Sequence, residues 1–301
     1  MSTVATPFPQ PGFGATSRRD AWWLEPLVTF LVFTGFVIYG NLAVFWPQIF
    51  GHPYFEIRQN AEGKIDWEHG EAVAPYLAPF YSPLIYDAHS HHAWIQAEKP
   101  SWWPGWMPFS SAMLILIFPL GFRFTCYYYR KAYYRAFWAD PPACAVGEPR
   151  TGFRGENHWP LLIQNIHRYF LYAAIVFIFF LAWDAISAFR WPVVENGKRV
   201  GWTFGIGLGT LLLCVNVVLI SLYTFGCHSF RHLVGGRLNC FSCPINGMYK
   251  PTTNYKVWTW VSRLNEHHQL WAWCSMLWIG FTDFYIRMCA MGVWSDPHVT
   301  L

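Results

Sequence analysis

The sequence predicts an all-α integral membrane protein with five transmembrane helices. Three observations lead there. Charged residues make up 13% of the 301-residue chain and aromatics 20%, against about 25% charged in an ordinary soluble domain; that is too little charge to coat a globular surface. Five stretches approach the roughly 20 apolar residues that a helix needs to cross a hydrocarbon core of about 30 Å. The connections between them differ in Lys and Arg content, which sets membrane orientation.

The elements follow in order. A polar arm, 1–26, contains Pro, Ser and Thr and shows no signal-peptide pattern. The first span, 27–48, holds "LVTFLVFTGFVIYGNLAVFW". Residues 49–104 are acidic and rich in Pro and Trp, with "EGKIDWEHGEAV" and "DAHSHHAW", and read as a small ordered extracytoplasmic cap. The second span, 105–130, centres on "SAMLILIFPLGF"; a basic loop, 131–159, leads to the third, 160–183, with "FLYAAIVFIFFLAW". An outer loop, 184–201, precedes the fourth span, 202–234, where residues 200–230 run thirty-one positions without Lys, Arg, Asp or Glu. A loop, 235–256, leads to the fifth span, 257–291, with "LWAWCSMLWIGFTDFYI", and an outer tail, 292–301. We read no internal repeat in the sequence.

The arm and the 2–3 and 4–5 connections hold 14 Lys and Arg, and the remaining connections hold 7. The expected topology therefore puts the N-terminus in the cytoplasm and the C-terminus outside. A net charge of +4, spread along the chain, argues against nucleic acid as a partner; the lipid bilayer is the expected one. The eight cysteines fall mostly in or beside apolar segments, so they do not read as a disulfide scaffold.

In this topology helices 2–5 form a bundle whose cytoplasmic ends gather ligand-type side chains. Cys126 lies near the inner end of helix 2 and His167 in the first turns of helix 3. Cys227, His228 and His232 close helix 4, and His268 follows His267 at the start of helix 5. Such residues are costly in a membrane and usually functional, which makes this a candidate redox site. Two centres fit. Haem b needs two imidazoles from different helices; a Rieske-type [2Fe–2S] cluster needs two Cys and two His. A His-rich quinone pocket is the further alternative. The pair Cys240 and Cys243 in "NCFSC" has no second C-x-x-C at zinc spacing. It reads as ordinary loop cysteines, with a surface metal or cluster as the alternative. "DAHSHH" has metal-binding residue types on the opposite side, where hydrogen bonding within the cap is the simpler role.

The segments "TCYYYRKAYYRAFWADPPACAVGEP", "LIQNIHRYFLY", "GCHSFRHLVGG" and "LNEHHQLWAW" resemble the membrane-anchor subunit of succinate dehydrogenase (respiratory complex II), of the single-chain, five-helix type known from mycobacteria. The resemblance covers roughly residues 105–290. It implies a bacterial plasma-membrane anchor that docks a flavoprotein subunit and an iron–sulfur subunit on the cytoplasmic side. It also implies a quinone site and a membrane-embedded Rieske-type [2Fe–2S] cluster. Carried over, it favours Cys126 and Cys227 as thiolates and leaves the imidazoles open among His167, His268, His228 and His232. Arg231 and Tyr127 become candidate hydrogen-bond donors to a quinone carbonyl or to the centre. Haem b in an anchor of another quinone-linked dehydrogenase or reductase is the competing reading.

Overall fold

The computed structural model describes residues 12–150, 158–159, 161–196, 198–236 and 253–301. It is mostly helical, and it divides into two compact units, Met1–Ile38 with Gly121–His167 and Tyr39–Leu120 with Arg168–Leu301. Among the described residues, three helices are long and apolar enough to cross a membrane: Leu24–Val44, Leu162–Ser187 and Leu208–Phe225. The helix pair Ser111–Phe124 and Tyr127–Phe137, bent by 72°, makes a fourth if it counts as one span.

The first unit contains most of helix α1 (Leu24–Val44), the end of a later helix and the loop beyond it. Phe30 and Phe33 of α1 pack on rings that follow the bend: Phe33 lies 5.8 Å from Tyr129 and 5.6 Å from Tyr133, and Phe30 lies 5.0 Å from Phe137. The N-terminal arm is tied to the loop by paired backbone bonds, Gly14 N–H to Gly147 O and Gly147 N–H to Ala15 O. Arg18 adds an Nη1 bond to Cys144 O at 2.9 Å.

The second unit holds the remaining elements. A short helix, α2 (Trp46–Phe50), leads into residues 51–104, where a two-stranded ladder pairs β1 (Arg58–Gln59) with β2 (Glu71–Ala72). Then come α3 (Ser111–Phe124), which enters the first unit at Gly121, and α4 (Tyr127–Ala132) within that unit. After a 3₁₀ turn, Leu161–Ile166, α5 runs His167–Ser187. An antiparallel sheet joins β3 (Arg190–Glu195), β4 (Lys198–Gly207) and the later β5. Helices α6 (Leu208–Phe225), α7 (His228–Gly235), α8 (Thr253–Glu266) and α9 (His268–Ala290) precede β5 (His298–Thr300). Trp278 of α9 donates its indole N–H to Leu212 O of α6 at 3.0 Å.

Three of the expected spans differ: the second is two helices bent by 72° around Thr125 and Cys126, and the fourth and fifth are each interrupted. Residues 202–207 belong to a strand, although they were expected to open the fourth span. In β4 the side chains alternate: Trp202, Phe204 and Ile206 are exposed, while Gly205 and Gly207 are buried. A count of apolar residues does not register that period of two. The glycines are forced by close packing, since a Cβ at Gly207 would stand 2.2 Å from Tyr76 Oη and one at Gly209 2.6 Å from the Tyr76 ring. The rest of the fourth span is two helices, broken at Gly226–Cys227, and the fifth is two, α8 and α9, broken at His267. The fifth region also contains a buried ion pair. Arg287 donates Nε–H to Asp283 at 2.6 Å; Asp283 also accepts from Tyr39 Oη at 2.6 Å and from the Phe80 N–H at 3.0 Å. Arg287 Nη1 donates to Pro53 O at 2.6 Å, and the guanidinium lies over the Trp46 and Tyr81 rings at 5.1 and 5.2 Å, so the buried charges are paired with each other and with neighbours.

Candidate functional site

The two cysteines singled out in the sequence occupy matching local structures. Cys126 is the N-cap of α4 at φ −68°, ψ 131°, just past the end of α3. Cys227 is the N-cap of α7 at φ −64°, ψ 142°, just past the end of α6. Both are buried, at 1% and 2% exposure. Each sits where a helix stops, one residue turns extended and a new helix starts; at Cys126 the chain bends by 72°.

In the first unit the break is held by Thr125. Its hydroxyl is 2.7 Å from Gly121 O and 2.8 Å from His167 Nδ1. A carbonyl can only accept, so the single hydroxyl proton goes to Gly121 and the oxygen accepts from His167. That places the ring proton on Nδ1 in this hydrogen bond. The ring of His167 stacks on Phe122, four residues before Cys126, with centroids 4.6 Å apart and planes at 10°.

In the second unit the break is held by Gly226. A Cβ there would lie 2.6 Å from Leu222 O, 3.2 Å from Leu264 O and 3.4 Å from His268 Nδ1. Asn265 Nδ2 donates to Gly226 O at 2.8 Å, which secures a carbonyl freed by the helix end. His268 is buried at 1% exposure and stacks on Tyr223, four residues before Cys227, with centroids 4.9 Å apart and planes at 16°. Each unit therefore joins a buried cysteine, the residue before it, a histidine and an aromatic ring one helical turn upstream.

The sequence contains the signal for this match. "FRFTCYYYR", 122–130, and "YTFGCHSFR", 223–231, align as aromatic, any, Phe, Thr or Gly, Cys, two residues, aromatic, Arg. The reading of no internal repeat is corrected at this local scale. Nine residues with three identities and two similar rings are too short to register without the structure.

The other candidate residues are placed differently. His228 and His232 are exposed, one turn apart on α7, with their Nε2 atoms 3.1 Å from each other. Arg231 donates Nε–H to Ser262 Oγ at 2.9 Å and lies over the Trp258 ring at 4.9 Å, which ties α7 to α8. Tyr127 is 62% exposed and carries the Arg130 guanidinium over its ring at 4.2 Å. Cys240 and Cys243 lie outside the described residues. Each unit by itself thus offers one buried sulfur and one imidazole whose ring plane is fixed by stacking.

Residues 62–292 match the family described as actinobacterial succinate dehydrogenase subunit SdhC. A chain of the solved Mycobacterium smegmatis Sdh1 complex in its apo form is 39% identical, with a TM-score of 0.75 over 98% of this chain and 97% of that one. No curated protein matches the chain.

Proposed function

The chain belongs to the actinobacterial SdhC family of succinate dehydrogenase membrane subunits, and from that premise we propose that it relays electrons to quinone through a Rieske-type [2Fe–2S] centre. It is a subunit of an oxidoreductase; succinate oxidation belongs to a flavoprotein partner, and an iron–sulfur partner delivers the electrons. The observation that carries the reading is the repeated half-site, in which a buried cysteine at a helix break is set beside a stacked histidine. Cys126 and Cys227 are the proposed thiolates and His167 and His268 the proposed imidazoles. His228 and His232 rank behind them because they are exposed.

When bound, such a cluster supplies one-electron transfer at a potential raised by its imidazole ligands. The chain's own residues do the rest. Thr125 holds His167 in the Nδ1–H tautomer, and Phe122 and Tyr223 fix the two ring planes. Burial of both cysteines keeps water from the sulfurs. Tyr127 and Arg231 are the proposed hydrogen-bond donors toward quinone.

The test is an electron paramagnetic resonance spectrum of the reduced complex, purified through a tag on this chain. Co-purification of a flavoprotein and an iron–sulfur subunit is expected, with a signal of lower average g than an all-cysteine cluster gives. A split Soret and α-band without that signal would replace the cluster by haem b.

For the membrane we propose five spans, with α9 as the fifth and the N-terminus in the cytoplasm. The support is the Lys and Arg asymmetry of 14 to 7. A reporter fused after Leu301 should be active only outside the plasma membrane; cytoplasmic activity would reverse the orientation.

A further inference from the structure

Far from these helix breaks in sequence, residues 51–104 contain a second cluster of ligand-type side chains. Glu56, His91 and His92 each present one ligand atom, and the three atoms lie within 4.8 Å of one another. All three belong to the second unit.

The cluster rests on a prepared frame. Glu56 is fully buried; its Oε1 accepts from Arg58 Nε at 2.7 Å and its Oε2 from Ser90 Oγ at 2.8 Å. A carboxylate has about four acceptor positions, so both oxygens can accept again. Arg58 is held in turn by Trp67 O and His89 O, each at 2.8 Å, and by the Trp67 ring at 5.3 Å. Asp87 Oδ1 accepts the N–H of His89 at 2.8 Å and of Ser90 at 2.6 Å, which shapes the turn that brings both histidines round. Ser90 Oγ then accepts the His92 N–H at 3.2 Å. This is the outer hydrogen-bond layer that orients ligands in metal sites.

The imidazoles themselves lack what the frame has. His92 Nε2 is buried and meets no hydrogen-bond partner among the described residues, a state that buried polar atoms ordinarily avoid. The His91 and His92 rings lie 4.0 Å apart, an arrangement that two protonated imidazoles would oppose by repulsion. Both also line a cavity of about 470 Å³ that Trp94, Trp183, Asp184 and Trp202 share.

We propose that Glu56, His91 and His92 form a divalent transition-metal site, suited to zinc, with an open coordination position toward that cavity. Two imidazole nitrogens and one carboxylate oxygen match a three-ligand zinc site with a free fourth position, and the nitrogens disfavour calcium and magnesium, which take oxygen ligands. Zinc bonds of about 2.0–2.2 Å set ligand atoms roughly 3.4 Å apart. The three atoms, now within 4.8 Å of one another, would have to draw closer around the ion. Of the positive charges nearby, Arg58 is paired with Glu56, while Arg190 and Arg199 keep their charge over the Trp202 ring at 5.1 and 4.8 Å.

The experiment uses the whole complex, purified through a tag without histidines, dialysed against chelator, exposed to zinc chloride and passed through a desalting column. Mass spectrometry of the metal should find one more zinc per complex in wild type than in His91→Ala or His91→Ala/His92→Ala. The comparison is repeated with Cys240→Ser/Cys243→Ser to separate the C-x-x-C pair. Zinc should also raise the melting temperature of wild type and not that of His91→Ala, whose exposed ring can be lost without disturbing the fold in the absence of metal. Equal zinc and an equal thermal shift in wild type and the histidine variants would overturn the proposal, as would zinc that follows only the cysteine pair.

Discussion

Residues 122–130 and 223–231 reach the same local structure by opposite means. In each, a helix stops, a buried cysteine turns extended, and a histidine stacks on the ring one turn upstream. At the first break the deciding residue is Thr125, whose hydroxyl binds both the preceding turn and His167. At the second it is Gly226, where the absence of a side chain lets Leu222 O, Leu264 O and His268 come close. One break is held by a hydroxyl within it, the other by the space a glycine leaves and by an amide bonded to that glycine's carbonyl from a later helix. The cysteine and its histidine are what the two share, so the shared part should be functional and the differing part structural.

The largest effect should come from the shared part. Cys126→Ser and Cys227→Ser should each remove the cluster signal and lower quinone reduction by at least about 100-fold, beyond the roughly 10–100-fold typical of outer-layer changes. Succinate oxidation with an artificial acceptor should persist. Equal losses would support two equivalent half-sites; normal quinone reduction in either assembled variant would remove that cysteine from the centre. His228→Ala and His232→Ala should keep the signal, and its loss there would move the imidazoles to α7.

A smaller effect should come from the second break alone. Gly226→Ala puts a methyl 2.6 Å from Leu222 O, a backbone atom that cannot turn aside. Overpacking of this kind typically costs about 1–3 kcal/mol. The purified variant should melt lower and carry less iron per complex. A melting temperature and iron content equal to wild type would mean that the break tolerates a side chain and that the contrast with Thr125 is accidental.

How much of this was legible in sequence depends on the range of the interaction. The apolar helices α1, α5 and α6 could be read because their signal is local and long. Helix α9 carries Asp283 and Arg287, and only contacts from distant Tyr39, Pro53 and Phe80 explain how that pair is buried. The hairpin of β3 and β4 was concealed because its outward residues are aromatic and aliphatic, and the need for Gly207 and Gly209 comes from Tyr76, more than a hundred residues away. Cys126, Cys227, His167 and His268 stood out as costly residues at helix ends. Their pairing with Phe122 and Tyr223 did not, because aromatic residues are abundant throughout the chain. Glu56, the buried member of the second cluster, resembled any acidic residue of residues 49–104 until Arg58 and Ser90 were seen around it.

The smallest expected effect separates holding a ligand from aiming it. Thr125→Val keeps the branched shape and removes the hydroxyl, so the turn loses its bond to Gly121 O and His167 Nδ1–H loses this acceptor. A neutral side-chain hydrogen bond contributes about 0.5–1.5 kcal/mol, too little to unfold a span fixed by its apolar neighbours. The ring should instead exchange tautomers, and in the tautomer with its proton on Nε2 it cannot ligate through that atom. We expect roughly a 10-fold loss of quinone reduction, at the low end for residues that orient a metal ligand, together with a shifted reduction potential of the centre. Thr125→Ser restores a hydroxyl at the same backbone position and should recover both readings. A purely structural threonine would lower the melting temperature and leave the potential unchanged. That outcome, or a serine variant that behaves like valine, would make the Thr125 hydroxyl a structural group with no part in aiming His167.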